Sequence, residues 1–283
     1  MGSRPAVKPG VRSKERSPSE GGPIVLATDF GTADGFVGVM KGVMLGINPA
    51  ARIVDLANDL QPQDIRAAAF VLWTTCRYFP PSSVFVTVVD PGVGGPRRGI
   101  AVETPLGTFV GPDNGAFTWV LDEIAPCEVR AVELANSQLW LPTTSATFHG
   151  RDVFAPVAAH LSLGATLESL GPPVVGLVRL ELPRPTRLKD GVEGEVLRID
   201  RFGNLVTNLQ LEHVEHLGDI TLALRGVEIA GLRPYYAAGT GLGAVVGSAG
   251  LIEIALTDGS AAASLGAGVG DKVRVRRRGA TTP

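Results

Sequence analysis

Cysteine, net charge and long apolar runs are all scarce in this chain, and each shortage closes off a class of protein. Cys76 and Cys127 are the only cysteines among 283 residues. They offer neither a zinc-ligand spacing nor a disulfide framework, and they fit a cytoplasmic protein whose thiols stay reduced. Cys76 lies in an apolar helical run, the setting of a core residue rather than a nucleophile. A net charge of −2 leaves no general basic field, so nucleic acid is not an expected partner. No apolar stretch is long and clean enough to span a bilayer, and the N-terminus lacks a signal-peptide core, so no membrane association is expected. Internal repeats and a P-loop are missing too. The Gly-rich segment 239–250 lacks the strand-turn-helix context of a dinucleotide fingerprint.

Apolar residues, in contrast, are plentiful. At 45% hydrophobic, the chain can build one large domain or two moderate ones. Residues 1–22 stand apart: they are basic and rich in Gly, Ser and Pro, cannot bury a core, and read as a disordered tail. From residue 23 an apolar run ends in the polar turn Asp29-Phe30-Gly31-Thr32-Ala33-Asp34. Phe36, Val37, Met40, Val43, Met44 and Ile47 then recur at helical spacing until Pro49 stops them. A strand follows at 52–56. A helix opening at Gln63-Asp64 is apolar nearly all round from Ile65 to Trp73, which predicts burial. Residues 84–89 form the next strand. Strand, helix, strand, helix, strand predicts an α/β domain with a largely parallel sheet covered by helices. Ligands of such sheets bind at the carboxyl ends of the strands, where Asp29 and Asp90 both fall.

Short strands at 99–103 and 107–110, a Pro112-Asp113-Asn114-Gly115 turn, a helix at 117–121 and a helix from Arg151 complete this domain, placed at 23–175. A Gly/Pro-rich linker is expected at 176–190. From 191 to 283 short alternating strands at 194–199, 220–224, 243–246, 252–256 and 272–275 predict a smaller β domain. Its end, 273–278, reads as a final strand with a basic exit.

The most informative stretch is Val88-Val89-Asp90-Pro91-Gly92-Val93-Gly94-Gly95-Pro96, followed by Arg97 and Arg98. A Gly/Pro turn swings two guanidinium groups back toward a carboxylate at a strand end, which suits charge-assisted binding of a polar reactant. The loop alone equally fits an Asp that caps its own backbone beside a surface ion pair. Downstream, Thr147-Phe148-His149-Gly150-Arg151-Asp152 offers a lone His, which by itself could simply bond a carbonyl. In the β domain, Asp200-Arg201-Phe202-Gly203-Asn204-Leu205-Val206-Thr207-Asn208 stands out; Asn204 and Asn208 could read a base edge or cap a turn. Asp113 and Asn114 fit loop shaping, Arg98 a surface or inter-subunit ion pair, and His160, His213 and His216 surface or boundary positions. Asp29, Asp90, Asp113 and His149 lack a metal-ligand spacing, so no metal is expected.

Taken together, TDFGTADGFVGVMKGVM, IVDLANDLQPQDIRAAA, YFPPSSVFVTVVDPGVGGPRR, FVGPDNG, TFHGRDVFAPVAAHL, IDRFGNLVTN and GSAGLIEIAL resemble, in order, the S-adenosyl-L-methionine (SAM) hydroxide adenosyltransferase family. This family of SAM hydrolases is related to the fluorinase and chlorinase enzymes. The resemblance spans roughly residues 23 to 275. It implies an N-terminal α/β domain, a C-terminal β-barrel-like domain, and a homotrimer with one site at each subunit interface. The expected reaction is hydrolysis of SAM to adenosine and L-methionine without a cofactor. Carried over by motif, Asp90, Arg97 and His149 match the water-activating trio, Asp29 the carboxylate that receives the ribose hydroxyls, and Phe202 and Asn204 the adenine site. Asp34, Ser248 and Glu253 fall near the methionine portion. Halogenating relatives carry Tyr in place of Asp90, and Tyr-Ser or Tyr-Gly in place of His149-Gly150, so the chain sides with the hydrolases. Gly247 departs from relatives that often carry Asn before Ser248. A halide-using adenosyltransferase and a non-catalytic SAM or adenosine binder are the alternatives.

The implied chemistry is coherent. Sulfonium makes C5′ electrophilic, and methionine leaves as a neutral thioether that needs no acid. A water must be activated and aligned behind C5′, the first by proton acceptors and a fixed positive charge, the second by positioning. Hydroxide meeting a sulfonium cancels charge, which a water-poor pocket favours.

Overall fold

The computed structural model describes residues 21–279; the tail expected over 1–22 lies outside them but for its last two glycines. Gly22 is buried, and Gly21 accepts a hydrogen bond from Arg52 Nη2 at 3.1 Å. Two compact units divide between Glu181 and Leu182.

The first unit is the expected α/β domain. Its elements run β1 (Ile24–Thr28), α1 (Phe36–Ile47), β2 (Ile53–Ala57), α2 (Ile65–Thr75), β3 (Val84–Val88), β4 (Gly99–Thr104), β5 (Gly107–Pro112), α3 (Thr118–Asp122), β6 (Arg130–Glu133) and α4 (Ala155–Ser162). One sheet forms in the order β2-β1-β3-β5-β4-β6. β2, β1, β3 and β5 pair in parallel, while β4 is antiparallel to both β5 and β6. β1 and β3 are buried at every position, as unbroken apolar runs in a two-sided parallel sheet should be. α1 turns Val37, Met40 and Met44 inward. α2 buries six consecutive residues from Ala68 to Trp73, and its first turn is capped by Asp64, whose Oδ1 accepts from Ala67 N at 2.8 Å. Cys76 closes that run, and burial pushes its thiol up to about 11, a core residue.

The helix read from Arg151 begins differently. Residues Gly150–Phe154 form one π-helical turn, with Ala155 N donating to Gly150 O, and α4 follows. Pro156 is the cause: it has no N–H for the Asp152 carbonyl four residues back. Leu141 N supplies the missing donor at 2.9 Å. β6 was not read from the sequence; four residues at a sheet edge leave too short a pattern.

Residues 176–180, at the end of the first unit, are irregular but tethered within it. Asp113 accepts from Val178 N (2.8 Å), Thr118 Oγ1 accepts from Leu180 N (2.9 Å), and Arg98 donates to Gly176 O (3.1 Å). Arg98 also donates through Nε (3.0 Å) and Nη2 to Oδ2 of the buried Asp113, an ion pair made within the first unit.

The second unit contains β7 (Thr186–Arg187), β8 (Gly191–Ile199), β9 (Leu205–Gln210), α5 (Leu211–Val214), β10 (Ile220–Leu224), β11 (Val227–Ala230), β12 (Leu242–Val246), β13 (Leu251–Leu256), α6 (Ala261–Leu265) and β14 (Lys272–Arg277). The sheet runs β11-β10-β14-β8-β9-β13-β12, with β7 beside β8, and its strand pairs are antiparallel. Arg233, just past β11, bridges to Val245 of β12, which nearly closes the sheet into a barrel. Alternation along β10 sends Ile220, Leu222 and Leu224 inward to a core with Val196, Leu205, Ile252, Val273 and Val275. β9 takes up the second half of the 200–208 stretch: Thr207 is buried and donates to Ile252 O at 2.7 Å. No helix among the described residues is long and apolar enough to cross a membrane.

Candidate active site

In the first unit β3 delivers Asp90 two residues past its end, and the turn 91–96 returns Arg97 to it. Arg97 Nε lies 3.0 Å from both Asp90 oxygens, and Nη2 donates to Oδ2. Both side chains are largely withdrawn from solvent, 14% exposed for Arg97 and 5% for Asp90. Arg97 Nη2 also reaches His149 Nδ1 at 2.8 Å, so one guanidinium joins a carboxylate and an imidazole 52 residues apart in sequence. Arginine only donates, hence Nδ1 accepts, and the neutral imidazole carries its proton on Nε2. Burial and the Arg97 charge hold the His149 pKa below its usual value, outweighing the nearby carboxylates Asp90 and Asp152.

Backbone contact sets this geometry. Gly94, at φ +75°, packs so closely on the loop leading to His149 that a Cβ would lie 2.2 Å from Ala146 O. The Phe154 ring backs Arg97, its centroid 5.5 Å from Cζ. Asp152, fully buried, takes Arg151 through Nε (2.6 Å) and Nη2 (3.1 Å), and Ser145 N at 2.8 Å. Burial raises its pKa, but these bonds pull it lower on balance. Asp152 thereby ties the 145 loop to the π turn beside His149, a supporting role that sequence reasoning missed; its one signal was the Arg-Asp pair two residues beyond the His.

Asp29 sits just after β1. Its Oδ2 accepts from Gln63 N at 2.7 Å, where Gln63 holds φ +65°, an uncommon conformation for a non-glycine residue. The remaining lone pairs can still receive hydroxyl protons. Phe30, next to it, meets Phe148 edge-on at 5.6 Å, and Phe36 meets Phe148 at 5.3 Å, so aromatic packing joins the Asp29 turn to the His149 turn. Asp34 is exposed at the entry to α1.

The second unit gathers the other candidates. Phe202 is 78% exposed, on the turn between β8 and β9. Asn204 is buried, and its Nδ2 donates to Asp200 Oδ2 at 2.9 Å. Asn208 is buried and bonded at both ends of its amide, accepting from Glu195 N (2.8 Å) and donating to Pro183 O (3.1 Å), a structural role. Glu253 of β13 is buried and accepts from Tyr236 OH at 2.6 Å. Burial and Asp200 push its pKa up, while the Tyr236 bond pulls the other way. Gly247 explains its departure: a Cβ there would lie 1.8 Å from Glu253 Oε1, so the glycine leaves room for that carboxylate. Ser248 is exposed on the β12–β13 turn. Asp200 and Tyr236 were not singled out from sequence. Asp200 opens the distinctive 200–208 stretch there but carries no role of its own, and nothing marks Tyr236 as reaching Glu253.

Residues 24–171 match the family model of the SAM hydroxide adenosyltransferase N-terminal domain, and residues 194–274 that of its C-terminal domain. The chain belongs to this family. It is 43% identical over 262 residues to an (R)-S-adenosyl-L-methionine hydrolase of Thermus thermophilus, covering 89% of this chain and 99% of that protein. A Salinispora arenicola protein of the same name is 42% identical, covering 89% and 97%. A fluorinase of an Actinoplanes species is more distant, at 31% identity over 71% of this chain and 76% of its own. Among solved structures, an uncharacterized conserved protein of Thermotoga maritima superposes with a TM-score of 0.83 at 36% identity, covering 89% of this chain and 99% of that one.

Proposed function

We propose that this chain hydrolyses SAM to adenosine and L-methionine through attack of an activated water on C5′. The observation that carries the reading is the Arg97 guanidinium shared between Asp90 and His149. That arrangement supplies a fixed positive charge, a carboxylate acceptor and an imidazole on one rigid frame. With Nδ1 occupied, His149 offers Nε2–H as a donor to the nascent hydroxide, and Asp90 is the group that accepts the water's proton. Asp29 receives the ribose hydroxyls. Phe202 stacks on the adenine, and the Asn204 amide reads its edge. Asp34, Ser248 and Glu253 serve the methionine portion, where the buried Glu253 carboxylate matches an α-ammonium.

The subunits assemble as a homotrimer, the N-terminal cluster of one subunit sharing its substrate with the C-terminal cluster of a neighbour. Support comes from the family resemblance, from the exposure of Phe202, and from Phe36, Val39, Leu45 and Val54, large apolar residues left open on α1 and β2. The enzyme acts in the cytoplasm, where the free Cys76 and Cys127 stay reduced.

Chromatography of SAM incubated with purified protein, with and without high chloride, tests the reaction. Both sulfonium epimers belong in the assay, with the (R) form expected to be preferred because the named relatives act on it. Adenosine and methionine at both salt levels support hydrolysis. 5′-Chloro-5′-deoxyadenosine, or no turnover of either epimer, overturns it.

A further inference from the structure

Asp200 makes three hydrogen bonds that together determine which end of the Asn204 amide is free. Its Oδ1 accepts from Phe202 N at 2.9 Å and from Asn204 N at 2.8 Å, folding the turn back on itself. Its Oδ2 accepts from Asn204 Nδ2 at 2.9 Å. The backbone of Asp200 closes the same turn, with Asp200 N donating to Asn204 O at 3.0 Å and Gly203 N donating to Asp200 O at 3.0 Å. A carboxylate can only accept, so the amide cannot present its oxygen to Asp200. Among the described residues, Asn204 Oδ1 is left as the free acceptor.

We infer that Asp200 is a positioning residue that fixes the Asn204 amide with its oxygen free, and so selects a six-amino purine over a six-oxo purine. The inference rests on the reading that Phe202 and Asn204 hold the base. Adenine offers an exocyclic N6–H donor to that oxygen. Hypoxanthine offers O6 at the same place, and two acceptors facing each other without a proton leave both unpaired. The selection therefore lies in a residue that need not touch the base.

The isosteric D200N substitution tests this cleanly. Its Oδ1 keeps the two backbone bonds from Phe202 and Asn204, so the turn is retained. Its Nδ2 now faces the Asn204 amide and donates, which requires that amide to turn its oxygen inward and its NH2 outward. Dissociation constants for adenosine and inosine are measured by calorimetry for the parent, D200N and N204A. The parent should favour adenosine by about tenfold or more. D200N should lose about tenfold for adenosine and gain for inosine, which reverses the preference. N204A should bring the two ligands close to parity. A D200N protein that keeps the parent's ratio while N204A loses it overturns the role of Asp200. An N204A protein that keeps the parent's ratio instead overturns the base-site reading beneath it. If D200N does not fold, D200S decides: its hydroxyl can still accept from the backbone but cannot hold the amide one way round, so the ratio should fall toward one, and an unchanged ratio contradicts the inference.

Discussion

The two units hold their polar groups in opposite ways. In the α/β unit, Asp90, Arg97 and His149 satisfy one another, and close backbone approach at Gly94 and the buried Asp152 hold the frame around them. In the barrel-like unit the turn at Asp200 is equally well tied, yet it leaves a ring 78% exposed and an amide oxygen free. The first arrangement is complete in itself and suits chemistry, because preorganised charge needs no rearrangement as the reaction proceeds. The second leaves groups open, and under the proposed function these are the ones a base would engage.

That contrast can be broken by substitution. The largest effect is expected in the α/β unit. Asp90→Asn and Arg97→Ala should each lower kcat by about 10³-fold, while the adenosine dissociation constant moves by no more than about threefold. Equal losses in turnover and binding, read by steady-state kinetics and calorimetry, would erase the division of labour. Next, Asn204→Ala should raise the SAM KM by about tenfold with little change in kcat, the converse pattern. If subunits share the substrate as proposed, co-expressing it with Arg97→Ala should restore activity at low SAM, because a mixed assembly then contains interfaces with both intact halves. Mixed trimers confirmed by mass but no more active than their parents would place each site within one chain.

Asp29→Asn should weaken adenosine by about tenfold and leave adenine almost unaffected, since only the ribose loses an acceptor. A matched response of the two ligands would make Asp29 a support for Gln63 alone. The smallest effect is with pH. Burial and Arg97 favour neutral His149, so its folded pKa lies below the ordinary 6.5. The unfolded chain then binds a proton first on acidification. The His149 contribution to stability is present above about pH 6.5 and is lost as pH falls through the depressed folded value. Turnover should stay level through pH 6.5 and decline below it, in step with the His149 ring titration followed by NMR. A ring that titrates above that value would contradict the shared guanidinium.

Much of this arrangement is legible in the residues themselves. β1 and β3 announce themselves as unbroken apolar runs, and Asp90 and Arg97 share a single loop, so their proximity follows from a short turn. His149 does not: it joins them only through long-range folding, and the link comes from the family resemblance. The π turn is hidden because it depends on Leu141, ten or so residues upstream, supplying the donor that Pro156 lacks. β9 is obscured by polar Thr207 and by Asn208, which reads as a possible base reader; the structure spends them on Ile252, Glu195 and Pro183. Asp200 carries no role of its own in the sequence, and its bond to the Asn204 side chain emerges only from the folded turn.

In the proposed reaction, water activated beside Asp90 attacks C5′. Turnover of SAM in H2 18O, followed by mass spectrometry of both products, tests it most directly. One 18O is expected in the 5′-hydroxyl of adenosine and none in methionine, with the labelled product lost in Asp90→Asn. Adenosine that forms without the label, or labelled adenosine produced at the parent's rate by Asp90→Asn, would contradict it.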